Sequence, residues 1–200
     1  MIVTVALLGS LASSAAILVP AEAQSCTSNG LGTTDCEVPT GNFTYNNSIT
    51  DTNLVINTTN PNNGTLTLGG TNSQTHTTID AGQVDVSSAA NLGGGGSGLT
   101  LTLGGSQTGG GNTFGNLLET TGFTWNGSVT TGGTGGDLSA SAGQSGTFTG
   151  NIANAKGLSV GSNGSGTLTL SGIISGVGAL TFHAGTLLLS NTNTYSGGNT

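Results

Sequence analysis

Gly166-Thr167-Leu168-Thr169-Leu170-Ser171-Gly172 is the most regular form of a phrase to which this chain keeps returning. It also stands as Gly64-Thr65-Leu66-Thr67-Leu68-Gly69 and as Thr100-Leu101-Thr102-Leu103-Gly104. Looser echoes are Ala179-Leu180-Thr181-Phe182 and Thr186-Leu187-Leu188-Leu189-Ser190. Alternation with period two puts every Leu on one face of a strand and every Thr on the other. A strand of this kind needs stacked neighbours to bury its Leu face, so its recurrence predicts a repetitive β architecture.

Outward from these phrases, short alternating segments run along the whole chain, among them Phe43 to Tyr45, Leu54 to Ile56, Val84 to Val86, Phe123 to Trp125 and Leu158 to Val160. Between them lie Gly- and Asn-rich turns: Asn63-Gly64, Gly93 to Gly96, Gly109 to Gly111, Asn126-Gly127, Gly132 to Gly136 and Asn163-Gly164. Asn and Gly tolerate the left-handed backbone of a sharp turn. No segment carries 3.6-residue periodicity with caps, so helix is expected to be minor. The phrase itself is spaced irregularly: Leu66 to Leu101 is 35 residues, Leu101 to Leu168 is 67, and Leu168 to Leu180 is 12. A sandwich calls for turns every 8–12 residues and more aromatic volume than five Phe, two Tyr and one Trp. A solenoid has a narrow interior and tolerates loops of varying length. The expected fold is therefore all-β, a right-handed parallel β-helix. The alternatives are a β-sandwich or a largely disordered Gly/Thr/Asn-rich chain.

Charge narrows the function. The 200 residues carry 38 Gly, eight acidic groups, one Lys (Lys156) and no Arg, for a net charge of −7. Without a cationic surface, nucleic-acid binding is excluded, and so is recognition of anionic headgroups. An acidic polysaccharide would be repelled for the same reason. Solubility has to come from Thr, Ser, Asn and Gln on the outer faces.

The N-terminus reads as an export signal. Ile2 to Val19 is mostly small and apolar, and Pro20-Ala21-Glu22-Ala23 follows. The Ala21-x-Ala23 pattern predicts a signal peptide over 1–23, cleaved between Ala23 and Gln24, although no Lys or Arg precedes the apolar stretch. Beyond it no stretch is long and apolar enough to span a bilayer. Cys26 and Cys36 are the only cysteines, and in an exported chain an even count predicts a disulfide. A loop of that size contributes roughly 3 kcal/mol. Residues 24–60 are accordingly read as an N-terminal cap region and 61–200 as the solenoid.

The stretch Gly178 to Thr200 resembles the passenger-associated transport repeat of bacterial autotransporters. That phrase runs from a Gly-x-Leu strand through Gly-Thr-Leu-x-Leu to an Asn-x-Tyr-Ser/Thr-Gly-Gly-Thr turn. Leu180, Gly185, Thr186, Leu187, Leu189, Asn193, Tyr195, Gly197 and Gly198 match it. The departures are His183-Ala184, Asn191 in place of Gly, and Asn199 inserted before Thr200. The resemblance covers 178–200, with a vaguer echo from Leu158 to Gly172. It implies a passenger of a type V secretion system in a Gram-negative bacterium. Such a passenger is exported, threaded through an outer-membrane β-barrel translocator, and displayed on the cell surface or secreted. The implied function is display and adhesion, with a host-surface or glycan ligand. The chain reads as the N-terminal fragment of a longer protein. Alternatives are the stalk of an enzyme-bearing passenger or a truncated frame.

Candidate chemistry is sparse, and no catalytic, metal or cofactor site is expected. His76, Asp80 and nearby serines can be drawn as a triad, but no Gly-x-Ser-x-Gly elbow accompanies them. His183 reads as a solvated or packed side chain. Gly132-Gly133-Thr134-Gly135-Gly136-Asp137-Leu138-Ser139 is one imperfect copy of a calcium-binding nonapeptide, where several consecutive copies are needed. Asp80 and Asp85 flank one turn and are the least unfavourable pair of carboxylates, without a spacing that compels glycosidase chemistry. The pairs Thr65/Thr67, Thr100/Thr102 and Thr167/Thr169 raise a lattice-binding array, against which their irregular spacing counts.

Overall fold

The computed structural model describes residues 25–38, 41–57, 65–104 and 115–200. The stretch read as a signal peptide, with its expected cleavage site between Ala23 and Gln24, and the turns expected at Asn63-Gly64 and Gly109–Gly111 lie outside the described residues. Strand β1 (Ser25–Ser28) turns back on β2 (Thr33–Glu37) as an antiparallel hairpin. Every later pairing is parallel. After β3 (Asn42–Tyr45) the chain returns to lay β4 (Asn53–Asn57) on β2 and β5 (Thr65–Leu68) on β3. The next turn is β6 (His76–Ile79) and β7 (Gly82–Val86). A third strand joins from the following turn onward: β8 (Thr100–Leu103), β9 (Gly115–Glu119) and β10 (Thr124–Trp125). Then come β11 (Ser128–Thr131), β12 (Gly136–Ala140) and β13 (Ser145–Phe148), followed by β14 (Ile152–Asn154), β15 (Leu158–Ser162) and β16 (Thr167–Leu170). The last described turn is β17 (Ile174–Ser175), β18 (Leu180–Phe182) and β19 (Thr186–Leu189). The result is an all-β parallel solenoid of about six turns with three faces, of eight, seven and four strands. Helix is confined, among the described residues, to one 3₁₀ turn at Ala89–Leu92.

Alternation decides which side chains enter the interior. On the second face Leu66, Val84, Leu117, Leu138 and Val160 stack in register, each almost fully buried. Burying each such side chain contributes about 1.5–3 kcal/mol. The irregular spacing of the Thr-Leu phrase now has a cause: its copies occupy different faces. Thr65–Leu68 lies on the second face, Thr100–Leu103 on the first and Thr167–Leu170 on the third. The structural period is the turn, not the phrase. Asp137, Ser159 and Thr181 stack at intervals of 22 residues. The three Thr pairs consequently share no surface, which removes the common lattice they would need.

The third face of the early turns has no strand among the described residues, and buried amides take over its hydrogen bonding. Asn72 Oδ1 accepts the Ile49 N–H at 2.8 Å while its Nδ2 donates to the Asn91 carbonyl at 2.8 Å. Asn91 Nδ2 donates to the Gly70 carbonyl at 2.9 Å, and its Oδ1 accepts the N–H groups of Ser87 and Ser88. Backbone groups that would otherwise be orphaned are thereby satisfied. Later, the corner entering the first face is pinned by a glycine column. A Cβ on Gly172 would sit 2.0 Å from the Gly150 carbonyl oxygen, and one on Gly150 would sit 1.9 Å from that of Gly127.

The two ends differ. Cys26 and Cys36 face each other across the β1–β2 hairpin and are joined by a disulfide. Cys36 is also a core residue, stacked under Ile56, so the bridge ties β1 to the first parallel layer. At the other end Phe182 and Leu189 are exposed around a cleft of about 440 Å³ that reaches Leu180 and Tyr195, and Leu188 is exposed outside it.

Candidate functional site

The repeat-like residues build the second and third strands of the last turn and the segment after β19 that lies on its first two strands. Leu180 is buried in β18, Gly185 turns the corner at φ 82°, and Thr186, Leu187 and Leu189 form β19 against β16. Asn193 Oδ1 accepts the Ile174 N–H at 2.8 Å, doing for the first face what Asn72 does earlier. Tyr195 packs on the core and its hydroxyl donates to Asn199 Oδ1 at 2.6 Å. A Cβ on Gly197 would lie 2.2 Å from the Gly178 carbonyl oxygen, so the close approach requires glycine. The Gly198 carbonyl accepts the Leu180 N–H at 3.0 Å. Asn193, Gly197 and Gly198 thus lie against the layer that precedes them.

The titratable residues distribute differently from the triad drawn on the sequence. His76 begins β6 on the outside of the first face, with Nδ1 2.9 Å from Thr75 Oγ1, while Asp80 lies in the corner beyond the other end of that strand. Asp85 projects from the second face further along β7 and accepts a hydrogen bond from Gln83 Nε2 at 2.6 Å. Burial raises the pKa of both Asp80 and Asp85.

The cluster the sequence did not bring together is Asp137, Ser139 and His183 on the outside of the second face. Asp137 and Ser139 are two apart in β12, so they share its outer side. Ser139 Oγ donates to Asp137 Oδ1. His183 Nε2 lies 3.3 Å from Asp137 Oδ2 and 3.3 Å from Ser139 Oγ. The histidine belongs to the turn after next and reaches back over Gly161. A Cβ there would meet the imidazole at 2.9 and 3.0 Å. Ser139, Gly161 and His183 follow at 22-residue intervals, and that period was the available signal.

Three residue types of a hydrolase are present here without a hydrolase geometry. In a triad the carboxylate holds one imidazole nitrogen and the serine donates to the other. Here both approach Nε2, and the serine proton is directed at the carboxylate. The same contacts engage the carboxylate that the calcium-type reading of Gly132–Ser139 would need.

Around the cluster runs a groove of about 360 Å³, bordered by Gln83, Asn116, Asp137, Ser159, Asn163 and His183, with Leu118 on its floor. Gln83, Asn116, Asp137 and Ser159 are directly stacked partners on successive strands. Neither a scan against protein-family models nor searches of curated proteins and of solved structures found a match. Fold and site define a parallel β-solenoid with a polar groove along one face.

Proposed function

We propose that this chain is a passenger segment of a type V secreted surface protein. It is carried out through an outer-membrane β-barrel translocator and serves in display and adhesion, without catalysis. The observation that carries the reading is the last turn. Its Asn193-Thr194-Tyr195-Ser196-Gly197-Gly198 phrase resembles the transport repeat, and its residues stack one solenoid turn on another. Two further features support it. The disulfide suits an oxidising compartment. A chain with 4 % charged residues and that single short-range bridge also meets little resistance in a narrow pore.

The test is the fate of the chain in cells. Intact Gram-negative cells expressing the gene are treated with an external protease, and the mature N-terminus is sequenced. Digestion of the chain on intact cells and a start at Gln24 are expected. A protease-resistant, cytoplasmic chain that retains Met1 would overturn the proposal.

A further inference from the structure

We infer that the groove on the second face is a binding site for an uncharged oligosaccharide. The inference rests on the adhesive reading above and gives it a site and a ligand class. Four stacked side chains, Gln83, Asn116, Asp137 and Ser159, point outward in one column. Parallel strands space them about 4.8 Å apart, so the groove from Gln83 to His183 crosses about 19 Å. That length suits several units of an extended chain, each unit meeting a fresh pair of polar groups.

The hydrogen-bonding groups are of the type that reads hydroxyls. Amides donate and accept at once, as a sugar hydroxyl does, and a carboxylate accepts from two neighbouring hydroxyls. The side chains of Asn116, Ser159 and Asn163 have no hydrogen bond to protein among the described residues, leaving their donors and acceptors to solvent or ligand. Asp137 is different: Ser139 and His183 hold it in one orientation, which lowers the cost of ordering it on binding. Leu118 supplies an apolar patch on the floor, where a strand of this face elsewhere shows Thr or Asp.

Other ligand classes fit less well. No Arg exists in the chain, Lys156 is not at the groove, and the imidazole of His183 is already turned onto Asp137, so no free cation there neutralises a sulfate, phosphate or uronate. A peptide adding as a strand needs an open sheet edge, whereas the groove floor is a sheet face whose strands are paired on both sides.

The full chain is screened on an array of neutral tetrasaccharides built from glucose, galactose, mannose and N-acetylglucosamine, each beside a sulfated counterpart. The best neutral binder is then titrated calorimetrically. Binding of at least one neutral tetrasaccharide is expected, with its sulfated counterpart weaker by about tenfold or more. Asn116→Ala and Asn163→Ala should each weaken it about three- to tenfold, the worth of one or two hydrogen bonds. Asn163 lies in an exposed corner, so its variant leaves the core untouched. Thr78→Ala, on the outside of the first face, should change nothing. Silence across the neutral array, a preference for the sulfated forms, or full affinity in both groove variants would overturn the inference. Because the purified chain is used, such a failure leaves surface display standing. Glycan binding by a chain that never leaves the cytoplasm would sink the display reading alone.

Discussion

Replacing Gly150 by Ala tests whether the solenoid is registered by its glycine corner. The added Cβ would stand 1.9 Å from the Gly127 carbonyl oxygen and 2.4 Å from its carbon, both backbone atoms that cannot rotate away. Restoring ordinary contact requires the two layers to part by more than 1 Å at that corner, against a strand spacing of about 4.8 Å. The hydrogen bonds that join those two layers beside it are Thr149 N–H to the Trp125 carbonyl at 3.0 Å and Val129 N–H to the Asn151 carbonyl at 2.9 Å. Stretched by that amount they are lost, at about 1 kcal/mol each. Overpacking against fixed backbone adds about 1–3 kcal/mol, for a total of about 3–5 kcal/mol. That is a large part of the 5–15 kcal/mol typical of a domain. Trp125, the only tryptophan, is buried two residues before Gly127 with its ring against Phe148, so its fluorescence reports on this corner. Urea unfolding followed at Trp125 should move to a much lower midpoint in Gly150→Ala. Gly98→Ala is the control, since Gly98 has open space around its Cβ and no left-handed φ. It should be neutral or slightly stabilising, by up to about 1 kcal/mol. A Gly150→Ala midpoint within 1 kcal/mol of the parent would refute the idea that this column sets the stacking distance.

Substitutions at two other sites probe the carboxylates. Burial raises the Asp85 pKa above its ordinary 3.8, so the folded state holds the proton more tightly than the unfolded one. Stability is then lost as pH rises from about 3.8 through the folded pKa, and the full penalty persists at neutral pH. Asp85→Asn keeps an acceptor for Gln83, and it should raise the melting temperature at pH 7 while leaving it unchanged at pH 3. Glu119 is fully buried at the inner end of β9, where Oε1 accepts the N–H groups of Thr121 and Gly122. Glu119→Ala should cost about 2–4 kcal/mol in denaturant unfolding by removing both acceptor contacts, and Glu119→Gln, which keeps the Oε1 acceptor, should recover more than half of it. Equal losses in the two variants would refute this, showing that the negative charge, which both remove, matters rather than the Oε1 acceptor or the side chain's volume.

What the sequence disclosed follows from how locally each signal is written. Period-two alternation needs only four residues, so the strands around Leu66, Leu101 and Leu168 and the near absence of helix are legible without any tertiary knowledge. The Asn-x-Tyr-Ser-Gly-Gly phrase is local too, and its Asn193 and Gly197 lie directly against Ile174 and Gly178, one layer back. The turn length is not local. Insertions at the corners vary it, so that Gln83 and Asn116 stack across 33 residues whereas Asn116 and Asp137 stack across 21. A repeated strand phrase also misleads when its copies fall on different faces. The groove depended on the hidden quantity. Asp137 and Ser139 are neighbours on any strand, but His183 joins them only if Ser139, Gly161 and His183 are recognised as one column. Gly161 is the missing side chain that lets the imidazole lie across it. A glycine at such a position reads on the page as one more loop residue among 38. In a solenoid, then, the chemistry of a face is written perpendicular to the chain. A side chain there acquires its partners from residues one or two turns away, and the corner glycines that fix the turn are the means by which those partners can be found.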